Sequence, residues 1–270
     1  MAVAVTLGTS GARASFVVNL AFAGAEQTPT AAVGGTFIVQ QIDPQSTGTG
    51  VIDSFVRIKR KGGEQGYNTS LSTPLDDLAG NFTHALQLSA VPIVNIGGVN
   101  YRQFLLDVND STGGSKELIS LNQIQIFLAN ADTNAQSFAD AGSSTTPPVI
   151  AFSNATQVFQ MNAAGNTNFT ELKLDYSLNS GSGSGDMFLY VQDSLFNPAK
   201  QFVILYSQFG NPPGSNGSDA GFEEWAVLQG DTQLTPAPSS FVLMGLGGFG
   251  MACVGLLRRM RAGMPATLQA

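Results

Sequence analysis

The stretch "LKLDYSL", residues 172–178, alternates strictly: Leu172, Leu174, Tyr176 and Leu178 on one side, Lys173, Asp175 and Ser177 on the other. A period of two belongs to a strand with one buried and one wet face. Its surroundings follow the same rule. "FVVNLAF" (16–22), "GTFIVQQI" (35–42), "VIDSFVRIKR" (51–60), "VNYRQFLLDVND" (99–110), "MFLYVQD" (187–193), "FVILYSQF" (202–209) and "FEEWAVL" (222–228) are rich in β-branched and aromatic residues. "NSGSGSGD" (179–186) and "GNPPGSNGSDAG" (210–221) have the chemistry of turns. One segment is ambiguous: "ELISLNQIQIFLAN" (117–130) reads as a strand, yet its apolar positions partly fit a helical period. About ten to twelve short strands with Gly-rich turns predict an all-β fold, an antiparallel β-sandwich of jelly-roll-like type. No internal repeat is visible. "NADTNAQSFADAGSSTTPP" (130–148) is a long connection, of the kind that is often mobile or functional.

Charged residues make up 11% of the chain, far below the usual ~25%. Solubility rests on neutral polar side chains, a style common in secreted all-β proteins. Between Phe16 and Pro238 the charge balance is −11 (19 acidic, 8 basic residues). An acidic body excludes nucleic acid as a partner, since such binding needs a basic patch that displaces counterions. The basic run "RIKRK" (57–61) reads as a solvated strand end. A single cysteine, Cys253, excludes an intrachain disulfide and a Cys-based zinc site, and reads as a small apolar filler.

The two ends differ from the body. Phe241 to Leu257 is a run of 17 residues without charge. At ~1.5 Å per residue it spans about 26 Å, close to a ~30 Å hydrocarbon core. Pro236 and Pro238 block an earlier helix start. Arg258, Arg259 and Arg261 follow the run, and no acidic residue lies beyond Asp231. The run is therefore expected to be a single C-terminal transmembrane helix, with the arginines in the cytoplasm and the body outside. At the other end, "MAVAVTLGTSGARAS" carries a short apolar piece and then Ala12-Arg13-Ala14, a pattern suited to signal-peptidase cleavage. The expected organisation is a truncated signal peptide (1–14), a β-sandwich body (15–230), a linker (231–240), the helix (241–257) and a basic tail (258–270).

"PAPSS" (236–240), the glycine-rich run containing "GLGGFG" (245–250) and "RRMR" (258–261) resemble, in order and spacing, the C-terminal signal of PEP-CTERM proteins. Ala237 stands where that family has Glu, and "AGMPATLQA" extends beyond the arginines. "VNIGGVNYRQFLLDVND", "LDYSLNSGSGSGDMFLYV", "LYSQFG" and "GFEEWAVL" also look like segments of PEP-CTERM proteins of uncharacterised function. The resemblance implies an exported bacterial protein with Pro236, Ala237, Pro238, Arg258, Arg259 and Arg261 as its sorting signal. It further implies an exosortase-type membrane protease as partner, transient residence in the inner membrane, and association with exopolysaccharide and biofilm. No catalytic residues come with it.

Candidates for chemistry are few. His84, the single histidine, reads as lying at an alternating strand position, and no Gly-x-Ser-x-Gly elbow is present. Glu223 and Glu224, beside Trp225, should point to opposite faces of a strand and read as a sheet-edge pair that keeps it soluble. One of them with Asp186 or Asp219 would make a glycosidase-like carboxylate pair if the two stood ~5–9.5 Å apart. In "DVNDSTGGSKE" (107–117), Asp107, Asn109, Asp110 and Glu117 offer hard oxygen ligands around two glycines, as calcium prefers. Such clusters also make plain turns. Asn68, Asn81 and Asn168 stand in Asn-x-Thr sequons expected by chance in a chain this rich in Asn and Thr. The leading expectation is a non-enzymatic exported surface or matrix protein; the rival is a secreted carbohydrate-binding or carbohydrate-active protein.

Overall fold

The computed structural model describes residues 14–42, 52–71, 75–78, 81–110, 116–139, 148–163, 168–181, 183, 185–210, 216–219 and 221–229. The strands are β1 (Ala14–Asn19), β2 (Glu26–Gln27), β3 (Ile38–Gln41), β4 (Ile52–Ile58), β5 (Glu64–Tyr67), β6 (Leu86–Gln87), β7 (Ile93–Ile96), β8 (Val99–Asn109), β9 (Leu118–Ala129), β10 (Ser137–Ala139), β11 (Val149–Ala151), β12 (Ala155–Gln160), β13 (Asn168–Asp175), β14 (Met187–Gln192), β15 (Phe202–Phe209) and β16 (Phe222–Leu228).

They form two large sheets. One runs β1-β13-β9-β15-β5, with β12 also on β9 and β6 on β15. The other runs β2-β3-β14-β8-β16-β4, with β7 on β8. The chain crosses between the sheets repeatedly: β4 and β5, β8 and β9, β13 and β14, and β15 and β16 each divide between them. The two sheets share one core. Leu121, Ile126, Leu172 and Leu205 of the first cluster with Phe104, Leu106, Leu189 and Trp225 of the second. Trp225 is fully buried, and its indole N–H donates to Ser207 Oγ on the facing sheet at 3.0 Å. Each such large apolar side chain contributes about 1.5–3 kcal/mol by leaving water.

The all-β expectation holds, and most pairings are antiparallel. One pairing corrects it: β1 runs parallel to β13, Ala14 opposite Asn168 through Asn19 opposite Lys173. The alternation of "LKLDYSL" also ends early. Leu172 and Leu174 are buried as expected. The strand stops at Asp175, whose carboxylate accepts from Ser177 N, and Tyr176–Asn179 form a 3-10 turn. The ambiguous segment is β9, a strand and not a helix. Gln123 pairs with Gln208 and Leu121 with Phe209, so Asn122 is the extra residue of a bulge. The bulge sets the core positions Leu121 and Ile124 three positions apart instead of two, and that spacing mimicked a helical period. Within the long connection, β10 pairs antiparallel with β11, the strand that follows it.

Among the described residues no helix is long and apolar enough to cross a membrane. The expected signal peptide up to Arg13, the linker, the helix 241–257, Cys253 and all six sorting-signal residues lie outside the described residues.

Candidate functional site

Strand parity sets the site. Trp225 and Val227 belong to the core, so Glu223 shares the inner face and Glu224 turns to the outer one. Register then places Glu224 between Arg57 of β4 and Asp107 of β8. The Arg57 guanidinium pairs with Glu224 through Nε and Nη2, and Ser54 Oγ donates to the other carboxylate oxygen. The rings of Phe82 and Phe222 flank the same guanidinium at 3.4 and 4.2 Å, a double cation–π contact. Burial pushes the Asp107 carboxyl up to about 6, against a 2.6 Å hydrogen bond from Gly183 N; the charge of Glu224 adds to the rise. Burial likewise holds Asp186 well above its usual range, although Val108 N donates to it at 2.6 Å.

The inner face at this end is equally acidic. Glu223 is fully buried, and neither carboxylate oxygen has a hydrogen-bond partner among the described residues. Glu64 accepts from Arg60 N at 2.7 Å, and burial pushes its carboxyl up to about 8. Asp77 lies against Gly66, where an added Cβ would meet its carboxylate. Burial pushes Asp77 up to about 9, against a bond from Tyr67 N. Asp77 belongs to a short strap that bridges the two sheet edges. Lys59 N donates to Asp76 O, Leu78 N to Arg57 O, and Asp76 N to Gln65 O. The strap thus occupies backbone groups of β4 and β5 that would otherwise template pairing with another chain.

Several sequence readings change here. Glu223 and Glu224 do point to opposite faces, but β16 lies inside its sheet and both side chains are buried, so they are not a sheet-edge pair. The basic run is not wholly solvated: Lys59, Arg60 and Lys61 are exposed, while Arg57 is the anchor of Glu224. His84 precedes β6 in irregular chain, its Nε2 3.5 Å from Asp53 Oδ1. Asn68 is buried; its amide donates to Val203 O and accepts from Leu205 N, so this sequon is closed to a glycan.

The four calcium candidates divide. Asp107 turns to Gly183 and, at 3.3 Å, to the amide of Asn109. Asp110 accepts from Asp219 N at 2.9 Å, and Asp219 pairs with Lys116 at 3.2 Å. Glu117 lies in the turn before β9, its carbonyl accepting from Tyr176 N. Among the described residues no group of three or more acidic, His or Cys side chains is arranged to hold a metal.

The residues that sequence reasoning missed are Arg57, Glu64 and Asp77. The adjacent acids Asp76-Asp77, downstream of the basic run 57–61, were the available signal, but nothing local announces that the strap folds back over Gly66. Chemically the site joins two opposed carboxylates, Asp107 and Glu224, of which Glu224 is held by three donors. No family model, no curated protein and no solved structure matches this chain.

Proposed function

We propose that the chain is an exported, non-enzymatic protein of the cell surface or extracellular matrix, sorted through its C-terminal signal and associated with exopolysaccharide. The observation that carries the reading is the order Pro236-Ala237-Pro238, charge-free 241–257, then Arg258, Arg259 and Arg261. A transmembrane helix at 241–257 holds the chain in the inner membrane until an exosortase-type protease acts. The body is then a jelly-roll-like sandwich. Support comes from the order β4-β16-β8-β14 facing β5-β15-β9-β13, the interleaving that two Greek keys produce. Support for a non-catalytic role comes from Asp107, Asp186 and Glu224, which are buried and engaged by Gly183, Val108, Arg57 and Ser54.

Cell fractionation with an epitope tag inside the body tests the reading. The wild-type chain is expected at the surface or in the medium. Neutral replacements of Arg258, Arg259 and Arg261, or loss of Pro236 and Pro238, should leave a longer form in the membrane. A wild-type chain confined to the cytosol overturns it.

A second reading, a glycan-cleaving enzyme, draws on the Asp107–Glu224 pair: a carboxyl raised to about 6 directly opposite a second carboxylate. The burial of both and the saturation of Glu224 count against it. Hydrolysis of oligosaccharides that disappears in Glu224→Gln would establish it.

A further inference from the structure

At the opposite ends of β8 and β15 from these carboxylates, a groove of about 370 Å³ opens between the two sheets. Phe202 and Gln87 are register partners on β15 and β6, and Arg102 approaches from β8 of the other sheet. Leu88 N donates to Gln201 O at 2.8 Å, so the rim is tied to the strand that follows it.

Two cations line this groove, and they differ. Arg102 is framework: Nε donates to Asp193 at 2.6 Å, and Nη1 donates to the carbonyls of Leu88 and Val91 at 3.1 and 2.9 Å. Lys200 is available. Its turn is closed by Lys200 N on Asn197 O and Ala199 N on Asn197 Oδ1, both 3.0 Å, and its ammonium has no partner among the described residues. Among the described residues no acidic side chain lines the groove, in a chain of net charge −7.

The lining states a ligand chemistry. A lone ammonium takes a carboxylate. The amides of Gln87 and Gln201 and the hydroxyl of Ser89 both donate and accept, as sugar hydroxyls require. Phe202 offers an apolar ring for the C–H face of a sugar. A lone ammonium can also meet a phosphate, but the two-pronged contacts that favour phosphate come from a guanidinium fork or a nest of backbone N–H groups; here Nε and Nη1 of Arg102 are already bonded to Asp193, Leu88 and Val91. The volume falls in the range of about 300–1,000 Å³ typical of small-ligand clefts, room for one or two sugar rings. We propose that this groove binds the uronic-acid residues of an acidic polysaccharide, with Lys200 holding the carboxylate. That the ligand is a polymer and not a free acidic sugar rests on the surface reading above.

Calorimetric titration of the full-length protein with oligogalacturonate at low salt tests the assignment. Lys200→Met should weaken binding about tenfold, the loss expected for one charge-assisted hydrogen bond. The fully methyl-esterified oligomer, which keeps its hydroxyls and loses its charge, should weaken to the same extent. Lys61→Met, an exposed cation outside the groove, should leave binding unchanged, and unchanged thermal unfolding of both variants shows that they fold. Absence of binding, insensitivity to Lys200→Met, or equal weakening by Lys61→Met overturns the proposal. A surface-located chain that fails to bind loses the groove and keeps its location. A cytosolic chain that binds galacturonate and the oligomer equally keeps the carboxylate site and loses the polymer.

Discussion

The two ends of the sandwich handle charge in opposite ways. At the end where β8 meets β16, carboxylates are buried and either paired, as Glu224 is with Arg57, or raised, as Glu64 and Asp77 are. At the other end the Arg102 guanidinium is bonded to Asp193 and two carbonyls, while the Lys200 ammonium has no partner among the described residues. Polar residues therefore do different work according to what their neighbours leave free. The buried acids cost stability that the core supplies; the free ammonium costs nothing and is ready to bind. The acidic end draws attention in the sequence by its density of Asp and Glu, yet the recognition chemistry lies at the sparser end.

The largest expected effect tests the first half of this contrast through pH. Glu64 and Asp77 have folded-state values near 8 and 9, above their ordinary values of 4.5 and 3.8. The folded state thus holds protons that the unfolded chain has already released. Their contribution is fully present below about pH 4 and is lost as pH rises through 8 to 9. Urea unfolding at pH 5, 7 and 9 should show stability falling by several kcal/mol in total. Glu64→Gln and Asp77→Asn should each flatten the profile. A stability that rises between pH 5 and 9 in the wild-type chain would contradict the burial of both groups.

Next in size is the pair on the outer face. Arg57→Ala leaves Glu224 buried with one hydroxyl donor, and about 3–5 kcal/mol should be lost. Replacing both partners by Met should recover most of that loss, because the uncompensated charge goes too. If the double variant is as unstable as the single one, the Phe82 and Phe222 stacking on Arg57, and not its charge, is what matters. A smaller effect belongs to Gly66→Ala. The new methyl meets the Asp77 carboxylate, and accommodating it should cost about 1–3 kcal/mol, read as a lower denaturant midpoint with unchanged slope.

What was legible in the sequence follows from what is local. Alternation such as Leu172 and Leu174 announced strands, because one face of β13 is core. β9 hid its period because its central residues are buried on both faces and Asn122 adds a bulge. The opposite facing of Glu223 and Glu224 follows from parity alone. Their burial did not, since it depends on β4 and β8 flanking β16, a pairing far apart in the chain. Lys200 and Arg102 are likewise separated in sequence and meet at one groove only through the topology. The parallel β1–β13 pair had no local signal of any kind.

The smallest expected effect concerns calcium and sharpens the contrast at the acidic end. Asp107, Asn109, Asp110 and Glu117 share a hard-oxygen composition and two intervening glycines, which is what suggested the ion. In the fold, however, Asp107 accepts from Gly183 N and Asp110 from Asp219 N, donors on different segments. A cation joining the two carboxylates would have to displace both bonds and draw the side chains together. Binding to the folded state alone stabilises by about 2.7 kcal/mol at a hundredfold excess over the dissociation constant, equal to several degrees in Tm for a chain of this size. The expected difference in Tm between calcium and chelator is under about 2 °C, less than 1 kcal/mol. Magnesium should behave as calcium does, and Asp107→Ala should not alter the comparison. A rise of several degrees in calcium alone, abolished by Asp107→Ala, would show that the segment rearranges around the ion and that the acidic end, too, keeps a group free for a ligand.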